Sequence, residues 1–147
     1  MVLPANGDDP RQLGAGEVLA GSAKWQDILP LQAGGLLSTL LGVDNIVYGS
    51  DFVWNVDYLP TNRSIYLETF ASGSALTTLV AVTLYATSGP TSGQAVVNAT
   101  TSTTNTTTGA LVRSNAFTLV DGVSYQLRFK ATLLGTATLK LARLIFI

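Results

Sequence analysis

The sequence predicts an all-β protein: an antiparallel β-sandwich or jelly-roll-like domain preceded by an extended N-terminal arm. Three observations carry that prediction. Short apolar runs recur between clusters of Gly, Pro, Ser and Asn. Several of these runs alternate apolar and polar residues with the period of a half-buried strand. No helical segment alternates with them, so parallel βαβ units are not expected.

The elements follow in order. Pro4, Gly7, Pro10, Gly14, Gly16 and Gly21 punctuate the first stretch too often for a regular element. Val2, Leu3, Leu13, Val18 and Leu19 are interspersed among them, which is more apolar than a solvated tail needs. An arm lying on a neighbour explains both facts. Ser22 is placed to cap a short helical turn carrying Trp25, Ile28 and Leu29, stopped by Pro30. Leu36, Leu37, Leu40 and Leu41 suit one helical face ending at Gly42, and the segment is also short enough for a strand. Residues 1–44 are therefore assigned to the arm and a short apolar segment, and 45–147 to the sandwich.

From Asn45 the pattern is β. Strands are expected over Asn45–Tyr48, Phe52–Tyr58, Ser64–Phe70 and Leu76–Thr87, with Gly49-Ser50-Asp51 and Pro60-Thr61-Asn62 as breaks. Ser88 to Gly93 is a loop, and Ala95–Asn98 a short strand. The threonine-rich run Thr100–Thr108 fits an edge strand or a long loop. Ala110–Leu119 is a strand, followed by a turn at Val120-Asp121-Gly122. Val123, Tyr125, Leu127, Phe129, Ala131 and Leu133 then alternate with polar residues. A hairpin at Leu134-Gly135 is expected to return the chain as Thr136–Ile147. Its register would bring either Lys140 or Arg143 to the inward face. The last residues are apolar on both faces, so both faces need cover.

The composition narrows the function. The chain of 147 residues has no cysteine and no histidine, with 12% charged residues, 47% hydrophobic residues and a mean hydropathy of +0.37. Disulfides, thiolate metal sites and histidine-based catalysis are excluded. No cofactor or metal site is expected, and the protein reads as a non-enzyme. Glu17 and Glu68 are the only glutamates, and the aspartates sit in turn contexts, a poor set for glycoside hydrolysis. Asp44, Asp51 and Asp57 match no EF-hand spacing. Trp25, Trp54, Tyr58, Tyr66 and Tyr85 suit core or interface packing better than a sugar site. The overall charge of −1 gives no basic footprint for nucleic acid. No membrane span or targeting segment is expected, since the longest apolar run, Leu79–Ala86, is far short of a bilayer's thickness.

So apolar a small chain is expected to bury surface against other chains. The charge is split: residues 1–70 carry three bases and eight acids, 3 − 8 = −5, and residues 71–147 carry five bases and one acid, 5 − 1 = +4. That split suits head-to-tail contacts between copies, and equally two halves packing within one chain. Leu3, Leu13, Val18, Leu19 and Trp25 are the candidate interface residues of the arm.

Thr83-Leu84-Tyr85, Leu111-Val112-Arg113-Ser114, Phe117-Thr118-Leu119, Asp121-Gly122, Tyr125-Gln126-Leu127 and Ala142-Arg143-Leu144-Ile145 resemble segments of β-sandwich modules in virion proteins of tailed bacteriophages. The resemblance covers about Ser64 to Ile147, and its Arg-Ser and Ala-Arg-Leu-Ile segments are strand landmarks in such modules. With the arm and the small size, it implies a capsid decoration (auxiliary, cement or head-stabilising) protein. Such a protein is expected to sit on the capsid surface as a homotrimer, bind the major capsid protein and lock neighbouring capsomers. It would be made in the host cytoplasm. A thermophilic host fits the missing cysteine. A receptor-binding tip of a tail or head fibre is the alternative, although heptads and shaft repeats are absent.

Overall fold

The computed structural model describes residues 28–38, 44–59, 62–75, 78–104, 107–132 and 136–147. All five candidate interface residues of the arm, Leu3, Leu13, Val18, Leu19 and Trp25, lie outside the described residues.

Nine strands and one short 3-10 helix are described: β1 (Ile28–Ser38), β2 (Asn45–Ile46), β3 (Phe52–Val53), the 3-10 helix (Val56–Tyr58), β4 (Ile65–Gly73), β5 (Leu79–Ala86), β6 (Ala95–Thr103), β7 (Ala110–Arg113), β8 (Ser124–Thr132) and β9 (Ala137–Phe146). They form two antiparallel sheets. One has the order β1-β9-β4-β7, the other β2-β8-β5-β6 with β3 also on β8. The all-β antiparallel fold expected from the sequence is thus the fold observed.

The core lies between the sheets. Leu67, Ala71, Leu139, Ala142, Leu144 and Phe146 point inward from one sheet, and Val80, Val82, Leu84, Leu127, Phe129 and Ala131 from the other. Trp54 caps one end, 2% exposed, with its ring 6.0 Å from that of Phe146. The alternation seen along residues 123–133 is realised as β8, whose odd-numbered residues from Tyr125 to Ala131 are buried. The core is not wholly apolar. The hydroxyls of Thr69 on β4 and Thr101 on β6 meet at 2.7 Å, a buried hydrogen bond from one sheet to the other.

Several expectations are corrected. Ile28 and Leu29 begin β1, not a helical turn, and the Leu36-Leu37 stretch continues that strand to Ser38. Pro30 is tolerated because β1 is a sheet edge and its register shifts there. β1 pairs with β9, so part of the segment assigned to residues 1–44 belongs to the sandwich. The strand expected over Phe52–Tyr58 stops at Val53. Asn55 accepts the Asp57 amide at 2.9 Å and starts the 3-10 turn instead. Among the described residues of the threonine-rich run, Thr100–Thr103 are strand, on the edge strand β6.

The largest correction concerns the last two strands. β8 pairs with β5 and β9 pairs with β4, so they face each other across the core and do not form a hairpin. Residues 133–135 between them lie outside the described set. A strand apolar on both faces is best placed mid-sheet, and β9 sits between β1 and β4. The parity problem at Lys140 and Arg143 is solved by a bulge: Phe70 pairs with Leu141 and Ala71 with Leu139, skipping Lys140. Lys140 is exposed and Arg143 points outward, so neither cation enters the core.

Candidate assembly interface

Alternation along β4 sends Leu67, Thr69 and Ala71 inward and Tyr66, Glu68, Phe70 and Ser72 outward. The register then builds rows across the outer face of the four-stranded sheet. Ile28, Ile145 and Tyr66 form one row. Pro30, Arg143, Glu68 and Arg113 form the next. Leu141, Phe70 and Leu111 form a third.

Glu68 is the centre of this face. It is only 5% exposed although it points away from the core. Arg143 on one neighbouring strand donates from Nε at 2.8 Å and Nη2 at 2.6 Å to Oε1. Arg113 on the other donates from Nη2 to Oε2 at 3.3 Å. A carboxylate flanked by two guanidinium groups is the pairing that makes such burial tolerable. Both oxygens are occupied by these donors. The two Arg-bearing segments that carried the virion resemblance therefore converge on one residue. Ser114, next to Arg113, extends the same strand contact: its hydroxyl accepts the Leu67 amide at 2.9 Å.

Apolar groups surround the triad. Ile145 is 6% exposed, whereas Ile28, Leu111 and Ile147 are 42%, 54% and 55% exposed. Lys140 and Arg113 lie over the rings of Phe70 and Tyr66, each 5.7 Å from the centroid. Gly109, at φ +110, passes so close to Phe70 that a Cβ there would strike the ring. At the Ile28 end the face opens into a cleft of about 410 Å³, lined by Ile28, Arg63, Glu68, Arg113, Arg143 and Ile145 among others. Arg63 also donates to the Phe146 carbonyl at 3.0 Å.

The outer face of the five-stranded sheet is built differently. Thr83 and Thr100 pair through their hydroxyls at 3.1 Å, and Gln126 donates to Asp51 at 2.9 Å. Arg128 lies over the Tyr85 ring, 4.3 Å from its centroid. Burial, then the neighbouring Asp44 carboxylate, raise the Tyr85 phenol above its ordinary pKa.

Of the aromatic set, Trp54 is in the core and Tyr66 and Tyr85 lie on opposite outer faces, so these three share no platform; Trp25 lies outside the described residues. Asp44, Asp51 and Asp57 do not come together, and no cluster of three metal-ligating side chains occurs among the described residues. Glu68 entered the sequence reading only as a weak acid candidate. The signal for its actual place was a lone carboxylate in a largely apolar strand, with an arginine in each of two later strands, Arg113 and Arg143. No helix is long and apolar enough to cross a membrane among the described residues.

No protein-family model matches the chain, and no curated protein matches it.

Proposed function

We propose that this protein is a structural component of a virion, a capsid decoration protein that assembles with copies of itself and binds the major capsid protein. The observation that carries the reading is the outer face of the four-stranded sheet. Its aliphatic side chains ring a buried Glu68 held by Arg113 and Arg143. Such a surface, largely apolar and already ordered by fixed ion pairs, loses little side-chain freedom on contact. The resemblance of residues 64–147 to phage virion modules supplies the class, and its two landmark segments supply the arginines. Repetition does the mechanical work. At about 25 cal/mol per Å² of apolar surface buried, even a modest contact repeated around a shell sums to a large resistance to capsomer separation.

The arm's part in this reading is to reach a neighbouring subunit or the shell through Leu3, Leu13, Val18, Leu19 and Trp25. A receptor-binding fibre tip is the second reading. It draws on the loop Ser88 to Gly93, where Gly89 and Gly93 take positive φ. The test is the mass of the full chain in solution, with co-sedimentation on empty capsid shells of candidate phages. Trimers that bind shells and lose binding when Leu111 is replaced by Asp support decoration. Trimers that ignore shells but bind host cells through residues 88–93 support the tip. A monomer that binds neither ends both readings.

A further inference from the structure

The strands at the sheet edges are not protected alike. Short length, proline, bulges and charged side chains are what keep an edge from pairing with another chain. β1 carries Pro30 and two shifts of register. β7 is four residues long and ends on Arg113. β2 and β3, which both pair with β8, are two residues each. β6 differs from all of these. It has nine residues, Ala95–Thr103, with neither a proline nor a charge. The lack of charge extends beyond it, since no Asp, Glu, Lys or Arg occurs between Glu68 and Arg113.

One irregularity limits the open part of this edge. Thr83 pairs with Thr100 but Tyr85 with Ala95, and Asn98 takes φ 69, so β6 bulges there. From Ala99 to Thr103 the strand runs regularly, with Ala99, Thr101 and Thr103 buried and Thr100 and Ser102 exposed on the outer face. Half of the backbone N–H and C=O groups of this segment point away from β5. Among the described residues, β5 is the one strand that pairs with β6.

The chemistry of the segment suits a second copy of itself. In a two-fold antiparallel pair, a charge on the strand would lie close to the same charge on the partner. A segment without charge avoids that repulsion. Hydroxyl side chains satisfy one another across strands, as Thr83 and Thr100 already do at 3.1 Å. The longest pairing that stays clear of the bulge is centred on Thr101. It sets Thr100 opposite the partner's Ser102, and Ser102 opposite the partner's Thr100.

We infer that two copies of this protein pair antiparallel through β6 over Ala99–Thr103, about a two-fold axis at Thr101, so that the five-stranded sheet continues from one copy into the next. This goes beyond the proposed virion role and does not depend on it.

Charge exchange at the two exposed positions of the full chain tests the pairing. Thr100→Lys with Ser102→Lys places lysine opposite lysine twice, and should weaken association on the order of tenfold. Thr100→Glu with Ser102→Glu should do the same. Thr100→Lys with Ser102→Glu places opposite charges face to face, and should associate about as well as the unaltered protein. Sedimentation over a range of concentrations reads the masses, and circular dichroism checks the fold. An unaltered protein that stays monomeric, or a mass indifferent to all three double variants, overturns the pairing. A mass lowered equally by all three overturns it too, and assigns the edge to a partner other than β6 of a second copy. Charge exchange that behaves as expected in a protein that ignores capsid shells refutes the decoration reading and leaves the pairing standing.

Discussion

The two outer faces of this sandwich are made by the same alternation on the same kind of strand, yet they differ in what they expose. On the five-stranded sheet, the outward residues of β8 are Ser124, Gln126, Arg128, Lys130 and Thr132, all half-exposed and polar. On the four-stranded sheet, the outward residues include Tyr66, Phe70, Leu141 and Ile145, and the one acid among them is buried. Each face also orders an arginine in its own way. Arg143 is fixed by a carboxylate, whereas Arg128 rests on the ring of Tyr85 and its Nε is buried without a hydrogen-bond partner. The outer face of the four-stranded sheet is mainly apolar, and that of the five-stranded sheet is polar.

Replacing Glu68 by Ala should have the largest effect. It leaves Arg113 and Arg143 facing each other across β4 without their shared partner. Discounted for the 48% and 30% exposure of those side chains, the loss should be about 2–3 kcal/mol. The matching change on the other face, Thr83→Ala, should cost no more than about 0.5 kcal/mol. Urea unfolding of the two variants measures the contrast, and equal losses would erase it.

Between the faces, Thr69→Val should cost about 1–2 kcal/mol because it strands the Thr101 hydroxyl in the core. The double variant Thr69→Val, Thr101→Val should recover most of that loss. A double-mutant cycle in urea reads the coupling, and simple additivity would refute it.

Leu111→Asp changes an exposed residue and should move stability by no more than about 0.5 kcal/mol. If the four-stranded face is the contact surface, it should nevertheless lower the mass in solution, as read by light scattering. An unchanged mass would place the contact elsewhere.

The smallest effect belongs to Tyr85. Its phenol is held protonated in the folded chain beyond the pH at which the unfolded chain ionises, for which the ordinary value is 10.0. The unfolded state then binds fewer protons, so Tyr85 contributes stability that is present below that pH and lost above it. Tyr85→Phe should therefore soften the fall in melting temperature above about pH 10, and a parallel fall in both proteins would exclude this contribution.

What the sequence shows and what it conceals divide along a physical line. Alternation is local, so β4, β5 and β8 were legible, and so was the inward set Tyr125, Leu127, Phe129 and Ala131. Pairing is not local. Nothing in residues 133–136 distinguishes a hairpin from a crossing between sheets, and the bulge that absorbs Lys140 is set by the partner strand. The buried Glu68 eluded the sequence for the same reason. Its two arginines are remote in the chain and meet it only through the register of β7 and β9. Trp54 looked like part of a strand, but a single Asn55 cap ended that strand and turned the ring into the core. The apolar surplus gave no clue to which outer face is the more apolar, and that became clear only with the topology.

The position of β9 has one more consequence. Of the nine strands described it is the last to leave the ribosome, and it is the one that joins β1 to β4. The strands of the five-stranded sheet are all synthesised before it. One layer can therefore collapse during translation while the other waits, its partners separated by nearly the whole described chain. Without β9, the inward sides of β4 and of the five-stranded sheet lack the strand that covers them and joins β1 to β4. A variant lacking β9 is therefore expected to expose apolar core and to aggregate, as light scattering would show.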